Sequence, residues 1–278
     1  MYPSRQIFSR KSRAKLILFL ALAAILTLFS IVAPLIVPND PTATSAGHMN
    51  EAPGRTFPLG TDRYGRCVLS RVMMGARTSI FSAVILVAVT FVLGSFLGML
   101  AGYYGGLIDT VIMRIADIFL AFPQMVLAIA VAGILGGGML NAMLAMGISA
   151  WTLYARLARA QVLMLKNEAY IYAARLSGCR DFTIMFKYLF PNMFGPLLVN
   201  AATQIGTTMI GIAGLSFLGI GFMEPQAEWG SMINQARAYI QLNPWPVLAP
   251  ASATLITVMV FNLLGDSVRD YFDLEAHV

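Results

Sequence analysis

The sequence predicts an all-α integral membrane protein, a bundle of six spanning helices with both ends on the cytoplasmic side. Three observations carry that expectation. Hydrophobic residues make up 58% of the 278-residue chain and charged residues only 12%, about half the charge of a globular domain that must present a hydrated surface on every side. The apolar residues gather into runs long enough to cross about 30 Å of hydrocarbon. The basic residues fall between those runs, at a bias of about two to one towards one side if the N-terminus is cytoplasmic.

The elements follow in order. Residues 1–15 form a cytoplasmic segment whose cluster of Arg5, Arg10, Lys11, Arg13 and Lys15 dominates the orientation. Residues 16–37 form the first span. Its apolar run, Leu16 to Val37, reaches about 33 Å as a helix, longer than a signal peptide's apolar core, so a retained anchor is expected. Residues 38–79 read as an external loop. The stretch from Pro38 to Pro58 is rich in Pro, Asn, Thr and Gly, and Val68, Leu69, Val72 and Met73 then recur at helical spacing among arginines. That pattern predicts a separate amphipathic helix lying in the interface.

Residues 80–265 hold five further spans. They are expected near Ile80–Gly102, Ile115–Leu135 with a kink at Pro123, Met139 to the Arg156 region, Met193–Phe222 and Val247–Gly265. Gly136-Gly137-Gly138 makes a tight external turn. Residues 266–278 form a cytoplasmic tail in which Asp266, Arg269, Asp270 and Asp273 are spaced for a surface ion-pair cap.

The longest cytoplasmic loop, residues 166–191, is the most informative stretch. Ala169 to Leu176 is expected as a short helix ended by a left-handed Gly178. A second helix follows from an N-cap at Asp181 to Leu189, stopped by Pro191. Phe182, Met185, Phe186 and Leu189 share one face of it. An exposed apolar face needs cover in water. A peripheral protein subunit or the lipid headgroups would supply it.

On the fifth span, Asn200, Thr203, Gln204 and Thr207 recur on one face. They point to an aqueous path or to hydrogen bonds between helices. Met139, Met143 and Met146 form a stripe on the fourth span, readable as packing or as soft-metal thioethers. Glu224, Glu228 and Trp229 lie in an external loop and either meet an external partner or build a structural turn around Pro225 and Gly230. Cys67 and Cys179 fall on opposite sides and offer no disulfide framework; His48 and His277 lie far apart and offer no metal site. No Gly-rich loop ends in Gly-Lys-Ser or Gly-Lys-Thr, so nucleotide hydrolysis has no seat here, and no contiguous basic face invites nucleic acid. No catalytic residue is expected.

The segment Tyr170-Ile171-Tyr172-Ala173-Ala174-Arg175-Leu176-Ser177-Gly178, followed by Ile184, Leu189, Phe190 and Pro191, resembles the EAA coupling loop of ABC importer permeases, with Tyr172 where the family usually has Glu. Leu59-Gly60-Thr61-Asp62-Arg63-Tyr64-Gly65-Arg66 is similar to the external signature of the peptide/nickel branch. So are Leu215 to Gly221, Glu228-Trp229-Gly230-Ser231-Met232, and Asn262 to Asp270. The resemblance covers residues 59–273 and is to C-type permeases of the dipeptide, oligopeptide and nickel family.

It implies a type I importer permease bundle (the MetI-like fold) in the bacterial inner membrane, with residues 80–265 as the permease core. It also implies a second homologous permease, cytoplasmic ATPase chains that carry ATP and Mg, and an external solute-binding protein. Ala173, Ala174 and Gly178, with Phe182, Met185, Phe186 and Leu189, would couple the chain to the ATPase. Peptides and nickel, or a nickel chelate, are the implied solutes. A secondary transporter or a membrane scaffold with no ATPase partner is the alternative.

Overall fold

The computed structural model describes residues 3–275, with side chains for 12–272. The side chains of Arg5, Arg10, Lys11 and Asp273, and all of His277, lie outside the described residues. Within them the protein is built from helices. These are α1 (Pro3–Ile36), α2 (Val68–Tyr104), α3 (Gly106–Leu120), α4 (Gln124–Leu135), α5 (Met139–Leu165), α6 (Ala169–Leu176), α7 (Asp181–Thr183), α8 (Phe190–Phe217), α9 (Trp229–Ala236) and α10 (Trp245–Glu275), with a π-helical segment at Ile184–Leu189 between α7 and α8. The most extensive packing is α2 on α5, then α8 on α10, with α1 laid against α10 and α2.

Four helical stretches are long and apolar enough to cross a membrane, or five if the bent pair α3–α4 counts as one. α5, at 27 residues with Arg156 and Arg159 in its second half, lies outside that set. Its face towards lipid is apolar (Leu140 and Leu144 are exposed), as a buried bundle helix bordering hydrocarbon requires.

Three expectations are corrected. The separate interfacial helix does not exist, because α2 runs unbroken from Val68 to Tyr104. No proline falls between Met73 and Ile80, and the one glycine there, Gly75, is packed under the Trp229 indole. Arg71, one of the arginines in that pattern, is 1% exposed inside the protein.

The third span does not merely kink at Pro123. It breaks, with α3 and α4 inclined at 87° across residues 121–123. Proline drives the preceding Phe122 out of the α region and cannot donate to the turn behind it. Pro191, finally, does not separate the hairpin from the next span. Asp181–Phe217 is one continuous helical stretch. The π segment widens the turn just before the proline, with the Phe190 N–H donating to the Met185 carbonyl five residues back. A widened turn spares the clash a proline ring makes with the carbonyl four residues earlier.

Two features hold α2 against α5. Gly94, Gly98 and Gly102 lie one turn apart on α2 and face α5 directly. A Cβ at Gly94 would sit 2.7 Å from the Tyr154 Cβ, one at Gly98 2.8 Å from the Ala155 Cα, and one at Gly102 2.9 Å from the Val162 Cβ. This is close packing through small residues, the device that joins helices where burial from water cannot drive them together. At the end of α2 the chain reverses through Gly105 and Gly106, both at positive φ, which only glycine adopts without cost.

Candidate functional site

One end of the bundle is a polar cap built on the segment from Leu59 to Arg66. Gly60 and Gly65 take positive φ, and a side chain on either would collide with the backbone of the preceding loop. The turn they allow lets Asp62 Oδ1 accept from the Tyr64 and Arg66 amides at 2.9 and 3.0 Å, while Oδ2 takes the Arg66 Nε at 2.7 Å. Arg66 reaches on to Gln235 at 3.0 Å and to Glu224 at 3.4 Å. Arg71 donates to the carbonyls of Pro41 and Pro225. Asn243 ties the start of α10 to Thr61. The cap therefore staples four distant pieces of chain together.

Glu228 and Trp229, expected as candidates for an external partner, are buried at 1% and 3% exposure. Glu228 is the N-cap of α9 and accepts from the Gly230 and Ser231 amides at 2.9 and 2.8 Å and from Ser79 at 3.3 Å. Burial pushes its carboxyl above the usual glutamate value; the amide and serine hydrogen bonds pull it back only in part. The Trp229 indole lies on Gly75 and donates to the Val72 carbonyl at 2.9 Å. Both belong to a structural turn, made possible by the Gly230 backbone pressing on Ala213. Only Glu224 stays exposed.

In the middle of the bundle, α2, α4, α5 and α8 enclose an open cavity of about 390 Å³. Gln204 and Thr207 line it; Asn200 and Thr203 do not. Thr203 packs on Gly265 of α10 instead, and Asn200 donates to the Pro196 carbonyl at 3.0 Å. The four residues share a sequence period, but α10 covers part of their face. Thr90, Gln124, Tyr154 and Thr208, which no sequence pattern singled out, complete the polar lining, with Met125 and Met146 among the apolar groups. Tyr154 is 1% exposed and its hydroxyl has no hydrogen-bond partner among the described residues. A tyrosine amid small residues on an apolar run was the signal available.

At the opposite end of the bundle, α6, α7 and the π segment form a hairpin under the tips of α2 and α5. Gly178 takes φ +76°, as its place after α6 predicts. Asp181 is the first residue of α7 rather than its cap, and accepts from the Tyr103 hydroxyl of α2 at 2.6 Å. Lys166 donates to the Gly102 carbonyl at 3.1 Å.

The stripe of Phe182, Met185, Phe186 and Leu189 is not one exposed face. Met185 and Leu189 are buried with Ile171, Ala174 and Ile184 against Met99, Ala158 and Val162. Phe182 and Phe186 point outward, their rings 4.4 Å apart. The π turn rotates the face, and α2 and α5 extend far enough to bury half of it. Leu176 at 90%, Phe182 at 68% and Tyr172 at 50% exposure, with Ala173 and Gly178, make up the free surface. At the last helix, Asp266, Arg269 and Asp270 are exposed and form no ion pair with one another; each faces outwards where water competes for it.

Residues 94–276 match the family described as the binding-protein-dependent transport system inner membrane component. A dipeptide transport system permease protein of Alkalihalophilus pseudofirmus is 37% identical over 272 residues, 98% of this chain and 90% of that protein. The glutathione transport system permease protein of Pectobacterium atrosepticum is 43% identical over 225 residues, 81% of this chain and 75% of its own length. The nickel transport system permease protein of Escherichia coli K12 is 38% identical over 266 residues, 96% of each. Among solved structures, an inward-facing conformation of the MetNI methionine ABC transporter aligns with a TM-score of 0.52 at 21% identity, covering 72% of this chain and 94% of that chain; at that identity the likeness is one of fold.

Proposed function

We propose, for a chain that belongs to the family of binding-protein-dependent transport system inner membrane components, that it supplies half of the path of an ABC importer for peptides or nickel. The chain carries no catalytic residues of its own; ATP and Mg are handled by separate ATPase chains. Its place is the bacterial inner membrane, crossed six times with α5 as the fourth crossing and the N- and C-termini inside. A second homologous permease supplies the other half of the path, and an external binding protein delivers the solute to the outer cap, where Glu224 is the accessible carboxylate.

The observation that carries this reading is the division of labour within the hairpin. One side, Ile171, Ala174, Ile184, Met185 and Leu189, is sunk into the chain's own core. The other, Tyr172, Leu176 and Phe182, is apolar and exposed, on the short helix α6 and in the first turn of the long stretch that starts at Asp181. A scaffold or secondary transporter has no use for such a surface, and leaving it bare in water is unfavourable. In the proposed mechanism the ATPase grips the exposed side. The buried side carries the movement into α2 and α5, and the cavity opens alternately to each face.

Charge placed on the exposed side tests this. Leu176→Asp and Phe182→Asp should insert and fold as wild type, lose the copurifying ATPase in mild detergent, and abolish ATP-driven uptake in proteoliposomes. Retention of the ATPase and of uptake by both variants would refute the docking role. Ala174 is unsuitable for the same test, since an aspartate there would be buried without a partner.

A further inference from the structure

We propose that Tyr154 and Gln204 form a hydrogen-bond donor pair in the path that selects solutes presenting carbonyl or carboxylate oxygens and passes over bare metal cations. This rests on the permease reading above and names the chemistry that its central cavity accepts.

The argument begins with charge. No Asp, Glu, His, Cys, Lys or Arg lines the cavity, and among the described residues no group of three or more His, Cys, Asp or Glu could hold a metal ion. A bare divalent cation that gave up its hydration in this space would find no charged ligand on this chain's lining to replace it.

Two of the lining hydroxyls have already spent their protons within the chain: Thr207 donates to the Gln204 Oε1 at 2.7 Å and Thr90 to the Leu86 carbonyl at 2.8 Å, and each oxygen keeps only acceptor lone pairs. The Gln204 amide nitrogen, on the same lining as Gln124 and Thr208, has no partner among the described residues, and the Tyr154 hydroxyl is buried without one. The ring that carries it is fixed, edge-on to Phe91 at 5.6 Å and with its Cβ against Gly94.

A phenol hydroxyl buried without a partner is costly. It is tolerated where a ligand supplies the missing bond for part of the cycle. Two donors, Tyr154 Oη–H and Gln204 Nε2–H, with no competing cation, suit an oxygen acceptor. A peptide backbone offers such oxygens, and so does a metal wrapped in an organic carboxylate; a free metal ion does not.

The test uses the whole complex (both permeases, ATPases and binding protein) in proteoliposomes, with four probes. These are labelled dialanine, its reduced analogue in which CH2–NH replaces the amide, free radioactive nickel ion, and nickel citrate. The wild type should take up dialanine or nickel citrate, but not free nickel. Tyr154→Phe and Gln204→Leu should each slow that uptake about three- to tenfold, the worth of one hydrogen bond. The reduced analogue should be carried more slowly by the wild type and be less affected by Tyr154→Phe. Dialanine uptake without nickel citrate uptake assigns the peptide source; the reverse assigns the chelate.

Wild-type uptake of free nickel, full-rate uptake by both variants, or equal losses for dialanine and its reduced analogue would each overturn the donor pair while leaving the permease reading standing. ATP-dependent uptake of no probe by the wild type would overturn the permease reading, and this inference with it.

Discussion

Gly98→Ala is the sharpest test of how this bundle is held together. A methyl at Gly98 would fall on the Ala155 carbonyl and 2.8 Å from its Cα, where carbon atoms prefer about 3.5–4.0 Å. The obstacle is helix backbone and cannot rotate away. α2 and α5 must therefore part by about 1 Å along their most extensive contact. Overpacking of this kind costs about 1–3 kcal/mol. Alanine's better helix propensity returns up to about 1 kcal/mol, so the net loss is about 1 kcal/mol.

Gly133→Ala on α4 is the matched control. It is also helical and exposed, and nothing lies within 4 Å of the added carbon, so only the propensity gain of up to about 1 kcal/mol remains. The propensity gain is common to both, so the same chemical change should differ by about 2 kcal/mol between the two positions. Thermal unfolding of the detergent-purified complex, followed by fluorescence-detected size exclusion, reads this as a separation of roughly 4–8 °C. Gly98→Ala should also slow transport, because the displaced α5 carries Tyr154. Equal unfolding temperatures for the two variants would refute the close-packing argument.

Three further outcomes follow. Glu228→Gln keeps one acceptor for the α9 amides but turns an NH2 towards the other, and should destabilise the complex by about 1–3 kcal/mol in a denaturant or thermal titration; wild-type stability would show that the N-cap is dispensable. The raised carboxyl also sets a pH dependence. The folded protein holds this proton more tightly than the unfolded chain does, so the group's contribution is full below the ordinary value of 4.5 and is lost as pH rises through the folded value. The unfolding temperature should therefore fall less steeply over that window in Glu228→Gln than in wild type, and parallel profiles would count against the assignment. Gly178→Pro should abolish transport without loss of membrane insertion, because proline cannot adopt φ +76°; proteoliposome uptake at the wild-type rate would contradict it.

The parts of the fold that depend on local chemistry were legible in the sequence. The helix Ala169–Leu176 and the left-handed Gly178 follow from propensity and the demands of a helix end, and both are present. What failed depended on partners remote in sequence. Arg71 stood only as one arginine in an amphipathic pattern, and the fold surrounds it with Asp62, Pro41 and Pro225. For Glu228 and Trp229 the sequence left an external partner and a structural turn both open, because nothing in their own segment foretells Ser79, Val72 or Gly75. Met185 and Leu189 seemed exposed because nothing in their own segment foretells that α2 and α5 extend far enough to cover them with Met99, Ala158 and Val162. The ladder of Gly94, Gly98 and Gly102 is different: its four-residue spacing within an apolar run is a sequence signal for close helix packing. Tyr154 had no such pattern, since its meaning lies in a hydroxyl that the fold leaves unmatched.

One more relation is visible only in the assembled structure. Phe182, Phe186, Phe190 and Phe194 recur every fourth residue, and successive ring centroids lie 4.4, 6.4 and 5.7 Å apart. Phe194 then meets Phe91 at 6.1 Å, and Phe91 meets Tyr154 at 5.6 Å, both edge-on. A row of touching rings therefore joins the exposed tip of the hairpin to the hydroxyl in the cavity. These spacings fall within the favourable range for aromatic pairs. Contiguity alone does not establish coupling, but a substitution that removes a ring and keeps most of the volume can. Phe194→Leu should cost less than about 1.5 kcal/mol of stability and leave the ATPase docked. If the proposed movement travels along the rings, ATP hydrolysis in proteoliposomes should continue while solute uptake per ATP falls several-fold. An unchanged ratio would mean that the rings only fill space, and that the hairpin acts on the cavity through the α2–α5 contact alone.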